Sequence, residues 1–164
     1  MTTKKSMRIG ILVNAGQHNQ AVIDDLWGRA LSCLDPLEWD VRGTAAYIGA
    51  PGELFVEPGS PLDLVPVEQT VAGRPARIVA SLAAKPGPVG VVGRLLRDNL
   101  RSRGVARAVA QRKDVLAALA ASDVVVSGDV SGDRAVWQLR KRTRAGLVHG
   151  PVAMVHAIRT LTRP

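Results

Sequence analysis

Apolar residues occur along this chain in two alternating patterns, as short continuous runs and as helix-like repeats. Met7 to Asn14 is a continuous apolar run, which is typical of a strand that is buried on both faces. From Asn19 to Leu34 the apolar residues recur three to four positions apart, which predicts a helix with one buried face. Asp35 and Pro36 are expected to end that helix. A strand, a loop with glycine and a helix in this order predict the start of a βαβ unit.

The alternation continues to the end of the chain. Further strands are predicted at residues 38–48, 123–127 and 146–149, with shorter candidates at 54–56 and 62–67. Further helices are predicted at residues 77–84, 89–103, 105–121, 134–142 and 151–161. Residues 49–75 are rich in Gly and Pro and are expected to form a long loop region, and residues 1–6 are expected to be flexible. The pattern predicts one Rossmann-like α/β domain over residues 1–164, a three-layer sandwich around a mostly parallel sheet of about five strands.

The helix predicted from Val89 to Arg103 combines an apolar stripe with arginines on its other faces, and Gly104 is expected to end it. The chain has a net charge of +8, and eight basic residues stand against two acidic ones between residues 85 and 115. A basic amphipathic helix favours contact with an acidic membrane surface or with nucleic-acid phosphates, while a solvated helix face is the simplest alternative. The residues assigned to such a contact are Arg94, Arg97, Arg101 and Arg103.

The composition narrows the class of protein. Aromatic residues make up only 3% of the chain, so the core is expected to consist of Ala, Val, Leu and Ile, and stacking on single-stranded nucleic acid is disfavoured. The single cysteine, Cys33, is expected in the core and excludes an intramolecular disulfide, which favours a cytosolic protein. No apolar run approaches the roughly 18 residues of a spanning helix, so any membrane contact is expected to be peripheral. The tryptophans Trp27, Trp39 and Trp137 are expected to be mostly buried.

Ligands of open α/β sheets bind beyond the carboxyl ends of the strands, and the loop after the first strand is the first candidate. Asn14, Gly16 and Gln17 are predicted to contact substrate there, and His18 is the first candidate for a general base because imidazole titrates near neutral pH. A helix cap is the simpler role for His18. The loop has neither the three-glycine dinucleotide pattern nor the lysine of a phosphate-binding loop, so no NAD or ATP site and no cofactor is predicted.

Two further loops are expected at the same rim. Gly128 and Ser131 are predicted to contact substrate after the strand 123–127, and Asp129 is the second catalytic candidate. Asp129 or Ser131 capping the next helix is the simpler alternative. No metal site is predicted, because no His or Cys lies near the two aspartates of this loop. His149 ends the strand 146–149 and is predicted to contact substrate, or to be an ordinary residue at a strand end.

The order of these segments resembles a known family. Residues 123–129 (DVVVSGD), the helix 134–140 (RAVWQLR) and the strand 147–150 (LVHG) resemble the N-terminal, acceptor-side domain of GT-B-type glycosyltransferases, especially actinobacterial ones. The similarity is loose over most of the chain and clearest over residues 120–151.

The resemblance implies an acceptor-binding half of a glycosyltransferase. It implies a sugar or phosphorylated-glycan acceptor, a membrane-associated acceptor reached by the basic helix, and a separate donor-binding domain for the nucleotide sugar, because this chain stops before any donor segment. His18 would then be the base and Asp129 a second candidate. Two alternatives from the residues alone are a basic module that binds nucleic acid or another polyanion, and a small stand-alone protein that binds a nucleotide or a phosphosugar.

Overall fold

A computed structural model describes residues 4–69 and 74–163 of the chain. Its centre is one sheet of five strands in the order β3-β2-β1-β4-β5, and every neighbouring pair is parallel. The strands are β1 (Lys5–Val13), β2 (Trp39–Ile48), β3 (Leu62–Val67), β4 (Val124–Ser127) and β5 (Gly146–His149). This sheet, with its helices, confirms the predicted Rossmann-like α/β class.

The chain reverses its direction of winding between β1 and β4. It runs from β1 outward through β2 to the edge strand β3, and then returns to place β4 on the other side of β1. Ile9 pairs with Val124 and Leu12 pairs with Ser127, so the two strands are parallel neighbours. The expected common rim is therefore confirmed, and the crevice beyond it is the usual ligand position in such sheets.

Six α-helices lie in the part of the chain that is described, and most of them pack on the sheet. They are α1 (Asn19–Ser32), α2 (Arg74–Ala83), α3 (Gly87–Gln111), α4 (Lys113–Ala120), α5 (Asp133–Gln138) and α6 (Gly150–Thr162). The central strands supply side chains to both faces. Ile9, Ile11 and Val13 of β1 pack with α1 and α6, while Leu12 packs with α4, α5 and the C-terminal part of α3. The alternation that places successive side chains on opposite faces thus produces two cores and three layers.

The structure differs from the prediction at Gly104, which lies inside α3 and does not end it. The helix ends seven residues later, where Arg112 has an extended backbone and α4 begins. A glycine inside a helix costs only about 1 kcal/mol relative to alanine, which tertiary contacts easily offset. A β-carbon on Gly104 would lie 2.2 Å from the Gln69 side-chain amide nitrogen, so this glycine leaves room for the Gln69 side chain.

Helices α2 and α3 form a helical hairpin in which two glycines of α3 come close to backbone atoms, Gly90 to the connecting turn and Gly93 to the end of α2. A β-carbon on Gly90 would lie 1.7 Å from the Lys85 carbonyl oxygen, and one on Gly93 would lie 2.4 Å from the Ala83 nitrogen. Because α3 packs here through its backbone, its large apolar side chains are not needed for the contact. The predicted apolar stripe is accordingly exposed, by 38% to 66%: Val89, Val92, Leu95, Leu96 and Leu100.

Other local predictions have mixed outcomes. Residues 49–75 contain β3 and the beginning of α2, and residues 54–56 form no strand. β1 begins at Lys5, inside the segment expected to be flexible. Trp27 is buried as predicted, but the prediction for Trp137 is wrong. Trp137 is 56% exposed, because Val136 takes the inward position of the short helix α5, and the Arg140 guanidinium stacks 3.4 Å from the centre of the indole ring.

Candidate functional site

A cleft of about 760 Å³ lies at the carboxyl ends of β1 and β4 and is called here the switch-point cleft. Three segments line it. The loop after β1 contributes Asn14 and Ala15. The β4–α5 segment contributes Asp129, Val130, Ser131 and Arg134. The middle of α3 contributes Asp98, Asn99, Arg101 and Ser102. The position is the one that the parallel pairing of β1 and β4 predicts.

Asp129 joins the two loops at the floor of the cleft. Its carboxylate accepts a hydrogen bond of 2.5 Å from the Asn14 backbone N–H, one of 2.9 Å from the Ser131 N–H, and a further short one from the Ser131 hydroxyl. The Asn14 side-chain amide donates to the Ser131 hydroxyl at 3.0 Å. Both carboxylate oxygens are therefore occupied by groups of the protein. The structure gives Asp129 a positioning role, and its predicted catalytic role stays a prediction.

Arg101 fastens α3 over the cleft, because its guanidinium donates to the Asn14 carbonyl oxygen. It was predicted to contact a membrane or polyanion, whereas the structure places it in the wall of the cleft. Arg94, Arg97 and Arg103 do not line the cleft, and all three are exposed. Arg97 lies 3.5 Å from the carboxylate of Asp98, so part of its charge is balanced locally.

The loop after β1 turns sharply away from the floor of the cleft. Gly16 has a positive φ of 58°, where glycine is favoured, and Gly16–His18 form one turn of 3-10 helix with exposed side chains. Gln17 and His18 therefore stand on the rim and not in the lining of the cleft. Buried Asn19 holds the turn, since its side chain accepts from the Ala15 N–H at 2.7 Å and donates to the Ile48 carbonyl at 3.1 Å.

A histidine–carboxylate pair occupies the neighbouring part of the rim. The Nδ1 atom of His149 lies 2.7 Å from the Asp133 carboxylate, and both side chains are about half exposed. A carboxylate in this position fixes the orientation of the ring and directs Nε2 away from it. His149 was predicted as a rim residue, but Asp133 was not predicted as its partner, because only the order of β4 and β5 in the sheet brings the two together.

The lining of the cleft has balanced charge and many hydrogen-bonding groups. Two arginines stand against two aspartates, and two amides and two hydroxyls complete the polar wall. Sequence reasoning missed Asp98, Asn99, Ser102 and Arg134. The spacing of Asp98 and Ser102 places both on one face of a helix, but nothing in the sequence indicates that this face covers the first loop. Among residues 4–69 and 74–163, no three His, Cys, Asp or Glu side chains are grouped for metal binding.

A second groove, of about 810 Å³, lies between α1 and residues 55–62. It lies between α1 and the segment that precedes the edge strand β3, and it shares no lining residue with the switch-point cleft. Gln20 holds its outer wall, because its amide donates to the Phe55 carbonyl at 3.0 Å and accepts from the Phe55 N–H at 2.9 Å. The position of this groove does not correspond to the usual ligand crevice.

The fold and the cleft together define a Rossmann-like α/β domain with a polar crevice at its switch point. None of the helices in the described ranges combines the length and apolar character that crossing a bilayer requires. Comparisons with protein-family models, with curated proteins and with solved structures find no significant match.

Proposed function

We propose that this chain is the acceptor-binding half of a glycosyltransferase and that a separate domain binds the nucleotide sugar. The observation that carries the proposal is the polar switch-point cleft, which lies where α/β domains of this kind bind their ligands. The proposal extends the resemblance of residues 120–151 to acceptor-side domains, and these residues include both β4 and the loop that forms the floor of the cleft.

The chemistry of the cleft suits a ligand with many hydroxyl groups. Each sugar hydroxyl both donates and accepts a hydrogen bond, and the wall offers both kinds of partner. Asn14, Asn99 and Ser102 supply amides and a hydroxyl, while the arginine–aspartate balance leaves no strong preference for an anion. Arg134, exposed at the first turn of α5, is the group placed to pair with a phosphate on a phosphorylated glycan.

Proton transfer is assigned to the rim under this proposal. An acceptor hydroxyl must lose its proton when it attacks the donor sugar, and a histidine is suited to take it. His18 is the first candidate, and the Asp133–His149 pair is the second because the carboxylate already orients the ring. Asp129 then serves to hold the two loops in register.

The outer surface of the α2–α3 hairpin is the part of the protein proposed to contact a membrane. Exposed apolar side chains alternate with Arg94, Arg97 and Arg103, which is the combination that attracts a helix to an acidic lipid surface. We propose that this surface brings the protein to a membrane that carries the acceptor. Each basic residue near such a surface contributes about 1 kcal/mol, and the attraction decreases with added salt.

A ligand screen by thermal shift tests the proposed function, since a ligand that binds only the folded state raises the melting temperature. The panel contains monosaccharides, disaccharides, sugar phosphates, free nucleotides, nucleotide sugars, heparin and duplex DNA. Sugars or sugar phosphates are expected to stabilise the protein, and Arg134→Gln is expected to weaken the effect of the phosphates. Arg107→Gln, an exposed arginine of α3 outside the cleft, is the matched control.

Two results would contradict the proposal. Tighter binding of nucleotides or nucleotide sugars than of any sugar would favour the stand-alone nucleotide-binding protein. Stabilisation by heparin and DNA alone, with a steep dependence on salt, would favour the polyanion-binding module.

A further inference from the structure

One face of α3 continues from the polar wall of the cleft onto an apolar surface. Asp98 and Ser102 line the cleft, and Leu95 and Val91 precede them at intervals of three and four residues. Residues at intervals of four, three and four lie on the same face of a helix. Val91 and Leu95 are 48% and 66% exposed, and they are called here the shelf. At 1.5 Å per residue, the shelf extends to about 10 Å from Asp98 along the helix.

The packing of the hairpin leaves this shelf uncovered. Helix α3 meets the end of α2 at Gly93 and the turn between the two helices at Gly90; both glycines are buried, and the shelf residues are not required for either contact. The lining of the cleft adds a further exposed apolar side chain, Val130, which is 73% exposed. A polar floor that passes directly into an apolar wall has the two surfaces that an amphiphilic ligand requires.

We propose, on the basis of the function proposed above, that the ligand of the cleft is a glycolipid-like amphiphile. Its sugar head occupies the switch-point cleft, and its aliphatic chain lies along Val91 and Leu95. The floor supplies hydrogen-bonding partners for the head, and the shelf removes methylene groups of the chain from water. Each methylene that is fully buried increases affinity by about fourfold, so a few partly covered groups give about tenfold or more.

The test compares ligands that differ only in the chain. The probes are the methyl and octyl glycosides of glucose, mannose and galactose, each below its critical micelle concentration. Binding to the full chain is measured by calorimetric or NMR titration. The octyl form of at least one sugar is expected to bind about tenfold more tightly than its methyl partner.

Two double variants separate the shelf from general apolar adhesion. Val91→Gln with Leu95→Gln alters the shelf, and Val89→Gln with Leu96→Gln alters comparably exposed residues of the same helix that lie outside the shelf. The shelf variant is expected to lose the tenfold gain while keeping the affinity for the short head, and the control variant is expected to keep both. Circular dichroism of both variants checks that the helix is intact.

The possible failures are distinguishable. Equal affinity of the long and short forms, or equal loss of the gain in both variants, would overturn the amphiphile proposal and leave sugar binding in the cleft intact. Failure of every head to bind in either form would contradict the proposed function itself, and the amphiphile with it.

Discussion

Adding a single methyl group to the interface of the α2–α3 hairpin tests how closely the two helices pack. In Gly93→Ala the new β-carbon would lie 2.4 Å from the Ala83 nitrogen and 2.5 Å from the Leu82 carbonyl carbon. Both neighbours are backbone atoms, which cannot move aside as the end of a flexible side chain can. The helices must therefore separate by roughly 1 Å to reach ordinary contact distances near 3.5 Å.

Gly28→Ala is the matched control, because Gly28 also lies inside a helix but a β-carbon there meets nothing within 4 Å. Alanine should stabilise this site by about 0.5–1 kcal/mol through helix propensity. Overpacking at Gly93 should cost about 3 kcal/mol, at the upper end of the usual range because the clash is with backbone. After the same propensity gain, the net loss is about 2 kcal/mol.

Urea unfolding measures the difference between these variants. A separation of about 3 kcal/mol corresponds to a shift of the midpoint of roughly 1.5 M at a typical slope of about 2 kcal/mol per molar urea. If the hairpin opens before the rest of the domain, hydrogen exchange of the α2 amides should increase in Gly93→Ala alone. Coincident midpoints together with unchanged exchange in α2 would refute the glycine-mediated packing, and with it the explanation for the exposed stripe.

Three further predictions concern single carboxylates and the only tyrosine of the chain. Asp129→Ala leaves two backbone N–H groups without their acceptor, so it should lower the free energy of unfolding by about 2 kcal/mol. Urea unfolding measures this loss, and a value below about 0.5 kcal/mol would contradict the stabilising role of these hydrogen bonds. The hydrogen bond from Arg112 lowers the pKa of Asp114 to about 2. Because this folded-state pKa is below the unfolded value near 3.9, the ionised form stabilises the fold above about pH 4 and this contribution disappears towards pH 2. Asp114→Asn should make the melting temperature less dependent on pH over that window, and the change should be small because the pair is exposed. Parallel curves of melting temperature against pH for the variant and the unaltered protein would contradict this. Burial, and secondly the charge of Glu53, raise the pKa of Tyr47 above 10. Glu53→Gln should therefore lower the midpoint of the Tyr47 absorbance titration in the folded protein. An unchanged midpoint would exclude the Glu53 charge as a cause of the raised pKa.

The sheet could be predicted because its central strands are unusual sequences. Val124–Ser127 begins with three β-branched valines and is buried at every position, which is typical of a strand with helices on both faces. β1 carries the same signal, and the glycine and polar residues after each strand indicate the common rim. The order of strands could not be predicted, since a continuous apolar run is compatible with several positions in a parallel sheet.

Part of the candidate site could be predicted for the same reason. Asn14, Asp129 and Ser131 follow buried strands directly, so their place at the rim follows from the strands alone. Asp98 and Ser102 reach the cleft because α3 lies beside the loop after β1, where Arg101 donates to the Asn14 carbonyl oxygen. That contact joins positions 87 residues apart, and no local pattern encodes it.

The apolar stripe of α3 illustrates a more general ambiguity. Periodicity shows that apolar residues share a face of a helix. It does not show whether that face is buried, because a helix can also pack against its neighbours through glycines. Gly90 and Gly93, three positions apart, are the buried residues in the first half of α3, and the close backbone contacts they permit leave Val92 and Leu96 to solvent. A glycine pair on one face therefore indicates that the large apolar residues elsewhere on the helix are available for another contact. In this protein two such residues, Val91 and Leu95, continue the helix face that lines the polar cleft. This continuity favours one ligand that is polar at one end and apolar at the other over two unrelated binding sites.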